Sequence, residues 1–496
     1  MEDTIESPLV LESGYAELPG HFHARVTPVP VVEPTLVELN RALCAELGLD
    51  PDALPRDGWA AVFSGNRSLQ GARPVAMAYA GHQFGHFVPQ LGDGRAVLLG
   101  EVVDHDGRRR EIQLKGAGRN PFSRQGDGRA PLGPVLREYL VSEAMHALGI
   151  PSTRALAAVT TGETVRREEL LPGAILTRVA YSHVRVGTFQ YFAARGDTES
   201  VRLLCDYVIG RLYPELRDAG NPALALLDVV AERQALLVAR WMCIGFIHGV
   251  MNTDNMAISG ETIDYGPCAF LDDYAPGTVY SAVDQFGRYA YGNQPGIAQW
   301  NLARFAEALL PLIDREQQKA IDLATEVVAG FRQRFDRHWT DGMRRKIGLS
   351  VDREEDQSLV DSLLDVMDRN QADFTLTFRR LCDAAEDPTA REGVREQFAD
   401  PGAFDAWARR WQERMQQESL APARRAASMR ALNPARIPRN HSVEQALAAA
   451  VDEGDFTAFR EMLAAMRQPY ADVDGPDPYA APPRPDERIR NTFCGT

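Results

Sequence analysis

Residues with metal-binding and proton-transfer chemistry crowd one short stretch of the chain, from His248 to Asp264. The stretch also contains Asp254 and Asn255, and it directly follows a long apolar pattern that is typical of a buried helix. Hard divalent cations bind carboxylate and amide oxygens, and a cation on a nucleotide phosphate is held by such a pair. We therefore predict that Asn255 and Asp264 bind Mg²⁺ or Mn²⁺ on a nucleotide.

The order of these residues matches the catalytic loop of protein kinases, H-R-D-x-x-x-x-N, and the D-F-G segment that follows it. His248 aligns with the histidine, Asn255 with the asparagine and Asp264 with the aspartate of D-F-G. Val250 stands where a kinase has its catalytic aspartate. The chain therefore keeps the predicted metal ligands and lacks the kinase base.

Residues 91–118 predict a β-hairpin that ends at a lysine. An Asp-His-Asp-Gly turn signal separates two runs of strand-forming residues, and polar and apolar residues alternate in the second run. That run closes at Lys115, and the hairpin begins with Gly92, Gly94 and Arg95. A lysine on a strand beneath a glycine turn is how kinases bind phosphates, although either piece alone is more typical of an ordinary turn.

Residues 134–148 predict a helix that carries two glutamates, Glu138 and Glu143. In a kinase-like arrangement, one carboxylate on the helix after the lysine strand pairs with that lysine. We predict Glu138 as the partner of Lys115, with Glu143 as the alternative.

Two arginines follow, Arg178 and Arg185, in segments that are typical of strands, residues 174–179 and 183–189. Exposed strand arginines usually only solvate a sheet edge. Beside a phosphate-binding lysine, however, they could hold a triphosphate through forked contacts that lysine cannot make. The polar loop at 120–130 either lines the same site or is a solvated connection.

Asp254 is the candidate for a displaced base, because it neighbours Asn255 and could replace the aspartate that is absent at Val250. A turn or cap carboxylate is the alternative. Three function classes remain from the residues alone: a nucleotidyltransferase, a phosphotransferase acting on a small molecule or a protein, and a non-catalytic ATP-binding scaffold. Val250 argues against the second, and the intact Lys115, Asn255 and Asp264 argue against the third.

The composition of the chain limits the classes of partner that we expect it to bind. The 496 residues carry a net charge of −15 at pH 7, and the pI is about 5.3; this acidic balance disfavours binding to nucleic acid or to an acidic membrane. The acidic start has no apolar signal, no long uncharged apolar run exists, and the six cysteines form no C-x-x-C pair. We expect a cytoplasmic, monomeric protein.

The pattern predicts an α+β protein with a protein-kinase-like bilobal fold, a strand-rich N-lobe and a large helical C-lobe. An apolar pattern over residues 36–47 predicts a helix ahead of the N-lobe. The expected parts are an N-terminal extension at 1–74, the N-lobe at 75–173, the C-lobe at 174–390, a C-terminal helical extension at 391–468 and a Pro-rich tail at 469–496.

Four motifs carry a resemblance to a known family: Tyr79-Ala-Gly-His-Gln-Phe-Gly, Gln113-Leu-Lys-Gly-Ala-Gly, Gly249-Val-Met-Asn-Thr-Asp-Asn-Met and Asp264-Tyr-Gly-Pro. From about residue 75 to the C-terminus, the chain resembles the selenoprotein O (SelO) family of pseudokinase-fold protein adenylyltransferases. The resemblance implies a kinase-like fold that binds ATP in an inverted orientation. It also implies transfer of AMP to Ser, Thr or Tyr hydroxyls of proteins, the enzyme itself included, with transfer of UMP as a further option.

The resemblance implies roles for individual residues. Lys115 would bind phosphate and pair with Glu138, and Asp254 would be the catalytic base. Asn255 and Asp264 would bind Mg²⁺ or Mn²⁺. The nucleotide would contact Gly92, Gly94, Arg95, Lys115, Asp127, Gly128, Arg178, Arg185 and Asp264.

The resemblance further implies redox regulation. Family members carry a redox-active residue near the C-terminus, selenocysteine in animals and often cysteine in bacteria, and Cys494 matches it. The implied disulfide partner is a cysteine in the activation segment, for which Cys268 is the candidate.

Overall fold

The strands lie early in the chain and the helices dominate later. The computed structural model describes residues 9–473 and 475–493, and these form an α+β fold. The strands are β1 (His23–Arg25), β2 (Thr35–Leu39), β3 (Val75–Met77), β4 (Gly81–Gln83), β5 (His86–Val88), β6 (Ala96–Val103), β7 (Arg109–Lys115), β8 (Ala130–Pro131), β9 (Arg154–Arg166), β10 (Leu170–Ala180), β11 (Phe246–Ile247) and β12 (Ala269–Phe270).

One antiparallel sheet organises the first part of the chain. Its strand order is β1-β3-β6-β7-β10-β9-β2, and β8 also pairs with β10. The predicted hairpin at residues 91–118 is present as β6 and β7, in which Ala96 lies opposite Lys115. Because Lys115 also lies opposite Leu176 of β10, it sits inside the sheet rather than at an edge.

The sheet runs across residue 74, the predicted end of the N-terminal extension, because β1 pairs with β3 and β2 pairs with β9. Strands from both sides of residue 74 thus belong to one sheet. The domain boundaries stay predictions. The helix predicted at 36–47 is wrong in its first half, where β2 forms. Thr35 and Val37 are β-branched and favour a strand once β9 is available as a partner. The helix begins only after Asn40, whose side chain accepts a hydrogen bond from the backbone of Leu43.

Sixteen α-helices lie within the described residues. They are α1 (Arg41–Glu46), α2 (Arg56–Phe63), α3 (Leu132–Ala147), α4 (Val186–Ala193), α5 (Thr198–Leu212), α6 (Pro222–Cys243), α7 (Gln294–Ile313), α8 (Gln317–Ala329), α9 (Phe331–Lys346), α10 (Asp356–Asn370), α11 (Phe374–Glu386), α12 (Arg391–Arg395), α13 (Pro401–Met415), α14 (Pro422–Arg430), α15 (Asn440–Ala448) and α16 (Thr457–Met466). None of these described helices is both long and apolar enough to cross a membrane.

Helix α3 packs between the sheet and the last two helices, α15 and α16. Leu136, Tyr139 and Leu140 of α3 are fully buried, and the Tyr139 ring lies edge-on to Phe459 of α16 at 6.0 Å. The C-terminal helices thus buttress the helix that carries Glu138. This packing fixes α3 over the sheet.

The stretch singled out from the sequence forms a loop held at both ends. Helix α6 ends at Cys243, and Gly245 (φ 74°) turns the chain into β11. Strand β11 pairs antiparallel with β12, so the segment from His248 to Cys268 is the loop of a short hairpin. That loop faces the main sheet through the contacts described next.

Candidate active site

The carboxylate of Asp264 is the centre of the site. Its Oδ1 accepts hydrogen bonds from Arg178 Nη1 at 2.6 Å and Lys115 Nζ at 3.3 Å. Its Oδ2 accepts one from Asn255 Nδ2 at 3.1 Å and another from Arg185. Asp264 has a φ of 64°, which lies in the left-handed region that is strained for a residue with a side chain. Such strain persists where surrounding contacts over-determine it, as these four do.

Glu138 adds a second carboxylate from α3. It accepts hydrogen bonds from Lys115 Nζ at 2.5 Å and from Arg178 Nη1 at 3.1 Å. Burial alone would raise the pKa of Glu138, but the charges of Lys115 and Arg178 lower it below its ordinary value. Glu143 lies elsewhere, where it binds Arg154 at 2.8 Å.

The sheet register explains why these groups meet. Residues two apart on a strand point to the same side, so Gln113 and Lys115 share one face while Ile112 is buried in the opposite layer. Arg178 on β10 lies directly opposite Gln113 on β7, and its Nε donates to Gln113 Oε1 at 3.1 Å. Gln113 therefore orients the guanidinium toward Asp264.

Asp254 lies on a 3₁₀ turn, Thr253–Asn255, and is buried. Its Oδ2 accepts a long hydrogen bond from Gln83 Nε2 at 3.4 Å, and its Oδ1 has no hydrogen-bond partner. Burial raises the pKa of Asp254 to about 6, against the opposing charge of Arg185. A Cβ at Gly81 would lie 2.3 Å from Oδ1, so glycine at that position leaves room for the carboxylate. The result is a buried carboxylate with one free acceptor oxygen, which is suited to take a proton.

Arg185 links Asp254 to Asp264. Its Nη1 donates to the backbone carbonyl of Asp254 at 2.5 Å and also to the Asp264 carboxylate. The guanidinium lies 4.9 Å from the centre of the Tyr79 ring. The strand predicted at 183–189 is wrong, because Arg185 is the N-cap of α4. At this N-cap position the Arg185 side chain lies inside the protein, and the residue is only 2% exposed.

His248 is a structural residue of the loop. Its ring Nε2 lies 2.9 Å from the carbonyl of Ile263, and the ring packs against Trp241 and Phe246. Burial lowers the pKa of His248, which favours the neutral ring. Val250, at the position of the kinase base, is partly buried against the helical core.

The glycine turn packs against the loop at 120–130. A Cβ at Gly92 would lie 2.4 Å from the Phe122 ring, and one at Gly94 would lie 2.9 Å from the Phe122 carbonyl. Gly128 is equally confined, since its Cβ would lie 2.1 Å from the carbonyl of Gly118. The backbone N–H groups of Gly116 and Ala117, which precede this loop, donate hydrogen bonds to the carbonyl of Arg95.

Asp127 differs from the other predicted nucleotide contacts. Its carboxylate binds Arg167 at 2.9 Å and accepts a hydrogen bond from the Arg129 backbone. Partial burial would raise the pKa of Asp127, but the hydrogen bond from Arg167 lowers it below its ordinary value. The described contacts of this side chain are thus with Arg167 and Arg129, and none is with the cations around Asp264.

Several residues of the site were missed from the sequence. Asp93 is buried between the two turn glycines and accepts hydrogen bonds from Gln113 Nε2 at 3.0 Å and the Met77 backbone at 3.2 Å. Burial raises its pKa. Tyr79 and Gln83 belong to the motif Tyr79-Ala-Gly-His-Gln-Phe-Gly, but the sequence alone assigns neither side chain a function.

The donor set fits a magnesium or manganese ion. Asn255 and Asp264 each carry a hard side-chain oxygen, and the two side chains are neighbours because Asn255 Nδ2 donates to Asp264 Oδ2 at 3.1 Å. No group of three or more His, Cys, Asp or Glu side chains among the described residues is arranged to hold a metal. Mg²⁺ commonly binds one or two protein oxygens and completes its shell with substrate phosphates and water, so the pair suffices.

Thr492 of the tail contacts the loop that follows Asp264. The Thr492 hydroxyl donates to the carbonyl of Pro267 at 2.6 Å, and its backbone N–H donates to the carbonyl of Tyr280 at 2.7 Å. Cys268, next to Pro267, is buried. Cys494 lies outside the described residues.

Three cations gathered around the Asp264 carboxylate, with Asn255 beside it, are the kind of arrangement that binds the phosphates of a nucleotide. The family model of protein adenylyltransferase SelO matches residues 7–467. Protein nucleotidyltransferase YdiU of Rhizobium meliloti (strain 1021) is 62% identical over 98% of this chain and 99% of the relative. YdiU of Bradyrhizobium diazoefficiens is 58% identical over 98% of this chain and 99% of the relative. The chain belongs to the SelO family of protein adenylyltransferases, and it is an enzyme of the nucleotidyltransferase class.

Proposed function

We propose that this enzyme transfers AMP from ATP to Ser, Thr or Tyr hydroxyls of proteins, its own included. The observation that carries the proposal is Asp254, a buried carboxylate with a pKa of about 6 and a free Oδ1, held beside the Asp264 cluster by Arg185. A general base needs a pKa near the working pH and an acceptor atom aimed at the reacting group. Val250 offers no such group at the kinase position.

The cations favour ATP bound in the inverted orientation, within a kinase-like two-lobed scaffold. Lys115, Arg178 and Arg185 are three buried or nearly buried positive charges, facing Glu138 and Asp264. Arginine binds phosphate oxygens in a forked geometry, so a buried arginine pair is suited to hold the terminal phosphates as one unit. Attack then falls on the α-phosphorus, and the terminal phosphates are retained as the leaving group.

The chemical step follows from these positions. The Asp254 carboxylate accepts the proton of the acceptor hydroxyl as the hydroxyl oxygen bonds to the α-phosphorus. The bond from the α-phosphorus to the bridging oxygen of the β-phosphate breaks, and pyrophosphate leaves. Mg²⁺ or Mn²⁺ held by Asn255 and Asp264 would neutralise phosphate charge, and the lysine and arginines add preorganised positive charge.

Labelled ATP tests the proposal. The purified enzyme with Mg²⁺ or Mn²⁺ is incubated with ATP labelled at the α- or the γ-phosphorus, and protein-bound label is counted. We expect label from the α-position only. Label from the γ-position only would make the enzyme a phosphotransferase, and label from neither would favour the scaffold. Parallel reactions with α-labelled UTP compare UMP with AMP transfer.

A pH profile tests the base directly. Since burial raises the pKa of Asp254 to about 6, the carboxyl is protonated below that pH and cannot accept a proton. We expect kcat/KM to rise with pH through about 6 and then level off. ATP binding measured over the same range separates ionisation of the nucleotide from that of the enzyme. A rate that is flat across this range, at constant ATP affinity, contradicts the assignment.

We also propose that Cys494 and Cys268 form a regulatory disulfide. The hydrogen bond from Thr492 to Pro267 supports this, since these residues are near neighbours in sequence of the two cysteines. Activity is expected to rise with reductant, and Cys494→Ala is expected to remove that response. Cys205→Ala is the matched control, because Cys205 is buried in the helical core. An undiminished reductant response in Cys494→Ala contradicts the switch.

A further inference from the structure

An exposed apolar surface adjoins the candidate base. A cavity of about 500 Å³ is lined by Phe84 of the β4–β5 turn, by residues of the segment before α7 and by the first turn of α7. Phe286 is 96% exposed and Val283 is 59% exposed, on a chain whose net charge is −15. Large exposed apolar groups gathered in one place mark binding surfaces more often than solitary ones do. We define the docking surface as Phe84, Val283, Phe286, Arg288 and Ile297.

Direct hydrogen bonds join this surface to the loop of Asp254. The Phe84 backbone N–H donates to Asn252 Oδ1 at 3.0 Å, and the preceding residue, Gln83, donates to the Asp254 carboxylate. The Phe84 ring lies edge-on to Tyr289 at 5.3 Å, and the Tyr289 hydroxyl donates to the same Asn252 oxygen at 2.5 Å. A chain segment in the cavity therefore lies within a few residues' reach of the base.

Arg288 gives the surface an uncompensated positive charge. Its guanidinium lies 4.9 Å from the centre of the Trp300 ring, and its Nε has no hydrogen-bond partner. Asp284 also lines the cavity, but its carboxylate accepts hydrogen bonds from the backbone N–H groups of Arg288 and Tyr289. The described contacts of the Arg288 guanidinium are with the Tyr289 and Trp300 rings. An acidic group is the complement of this cation.

We infer that the docking surface binds the acceptor protein, through a segment that carries an acidic residue and an aromatic or aliphatic residue near the acceptor hydroxyl. The apolar residue would fill the cavity against Phe84 and Phe286, and the carboxylate would pair with Arg288. This inference rests on the proposed function, because it assigns the acceptor of that same reaction. Burial of one large apolar side chain and one charge-assisted contact provides selectivity without requiring a fixed sequence.

A random copolymer of glutamate and tyrosine is a probe with all three features. Its binding is measured by fluorescence anisotropy without ATP, and its labelling is measured with α-labelled ATP. We expect Arg288→Glu to weaken binding about tenfold, since like charge replaces attraction. Phe286→Ser is expected to weaken it several-fold, and neither variant should change ATP affinity. Arg315→Glu, at an exposed arginine between α7 and α8, is the control with the same change in net charge.

The outcomes separate the two claims. Equal copolymer binding by wild type, Arg288→Glu and Arg315→Glu would overturn the docking surface, whatever the enzyme does with ATP. A change in sedimentation coefficient with unchanged copolymer binding would make the surface an interface between copies and would overturn the inference as well. If Arg288→Glu weakens binding but wild type transfers no α-label to any protein, the docking surface stands and the proposed function fails.

Discussion

Asp254→Asn is expected to lower the rate of nucleotidyl transfer by about 10²–10⁴-fold, the usual contribution of a positioned general base. Asparagine keeps the shape that fits beside Gly81 and can still meet Gln83, but it cannot accept the proton of a hydroxyl. Initial rates with α-labelled ATP measure the effect, and ATP affinity should change little. Asp314→Asn, at a partly buried carboxylate that follows α7 and pairs with Lys319, is the control and should retain full activity.

Asp254→Asn is also expected to be more stable than wild type at neutral pH. The pKa of Asp254 is raised in the folded state, from 3.8 to about 6, so the folded protein binds more protons and loses stability as the pH rises through that interval. Removing the charge should therefore stabilise the fold by roughly 2–3 kcal/mol near pH 7. The difference in Tm should shrink as the pH is lowered toward 3.8. A variant that is both less stable and inactive would mark Asp254 as a structural carboxylate.

Asp264→Ala is expected to abolish transfer and to destabilise the fold. The substitution removes one metal ligand and leaves Lys115, Arg178 and Arg185 without their shared counter-ion. Loss of one partner from a buried ionic cluster costs about 3–5 kcal/mol, and loss of transition-state stabilisation lowers the rate by roughly 10²–10³-fold or more. Thermal unfolding and initial rates measure the two effects separately.

Asp341→Ala is the matched control for this variant. Asp341 is also shared by two arginines, Arg344 at 2.6 Å and Arg345 at 3.7 Å, but its side chain is 48% exposed. Exposed pairs of this kind contribute about 0–1 kcal/mol, so its Tm should hardly move. In Asp264→Ala, inorganic pyrophosphate should raise the Tm more than in wild type, because the polyphosphate replaces the missing negative charge. Equal stabilisation by pyrophosphate in both proteins would argue against a phosphate role for the three cations.

Sequence patterns predicted the helices and strands that depend mainly on residues close together in the chain. The alternation that ends at Lys115, together with its turn signal, predicted β6 and β7, and the stripe at 134–148 predicted α3 to within two residues at its start. Strand β2 and the capped start of α4 at Arg185 were not predicted. In both places, the outcome depends on a partner distant in sequence, namely β9 for β2 and the Asp254–Asp264 loop for Arg185.

The site was predicted where the chain follows a known order of motifs, and missed where distant segments meet. Gln83 and Asp254 are 171 residues apart, and no periodicity relates them. Gln113 was read only as the polar face of a strand, although it holds Arg178. Asp93 stands between two turn glycines, and a turn pattern does not indicate that its side chain is buried. These residues act by positioning other side chains, and that role becomes visible only when the sheet, α3 and the loop after β11 are brought together.

The mass of the adduct on an acceptor protein identifies the group that the enzyme transfers. After reaction with ATP and Mg²⁺, the enzyme itself or the glutamate–tyrosine copolymer is digested, and the modified Ser, Thr or Tyr is identified by mass spectrometry. We expect a mass increase of one adenylyl group, which is AMP less one water, at a hydroxyl, present with wild type and absent with Asp254→Asn. A mass increase equal to a single phosphate, or an AMP adduct formed equally by Asp254→Asn, would contradict it.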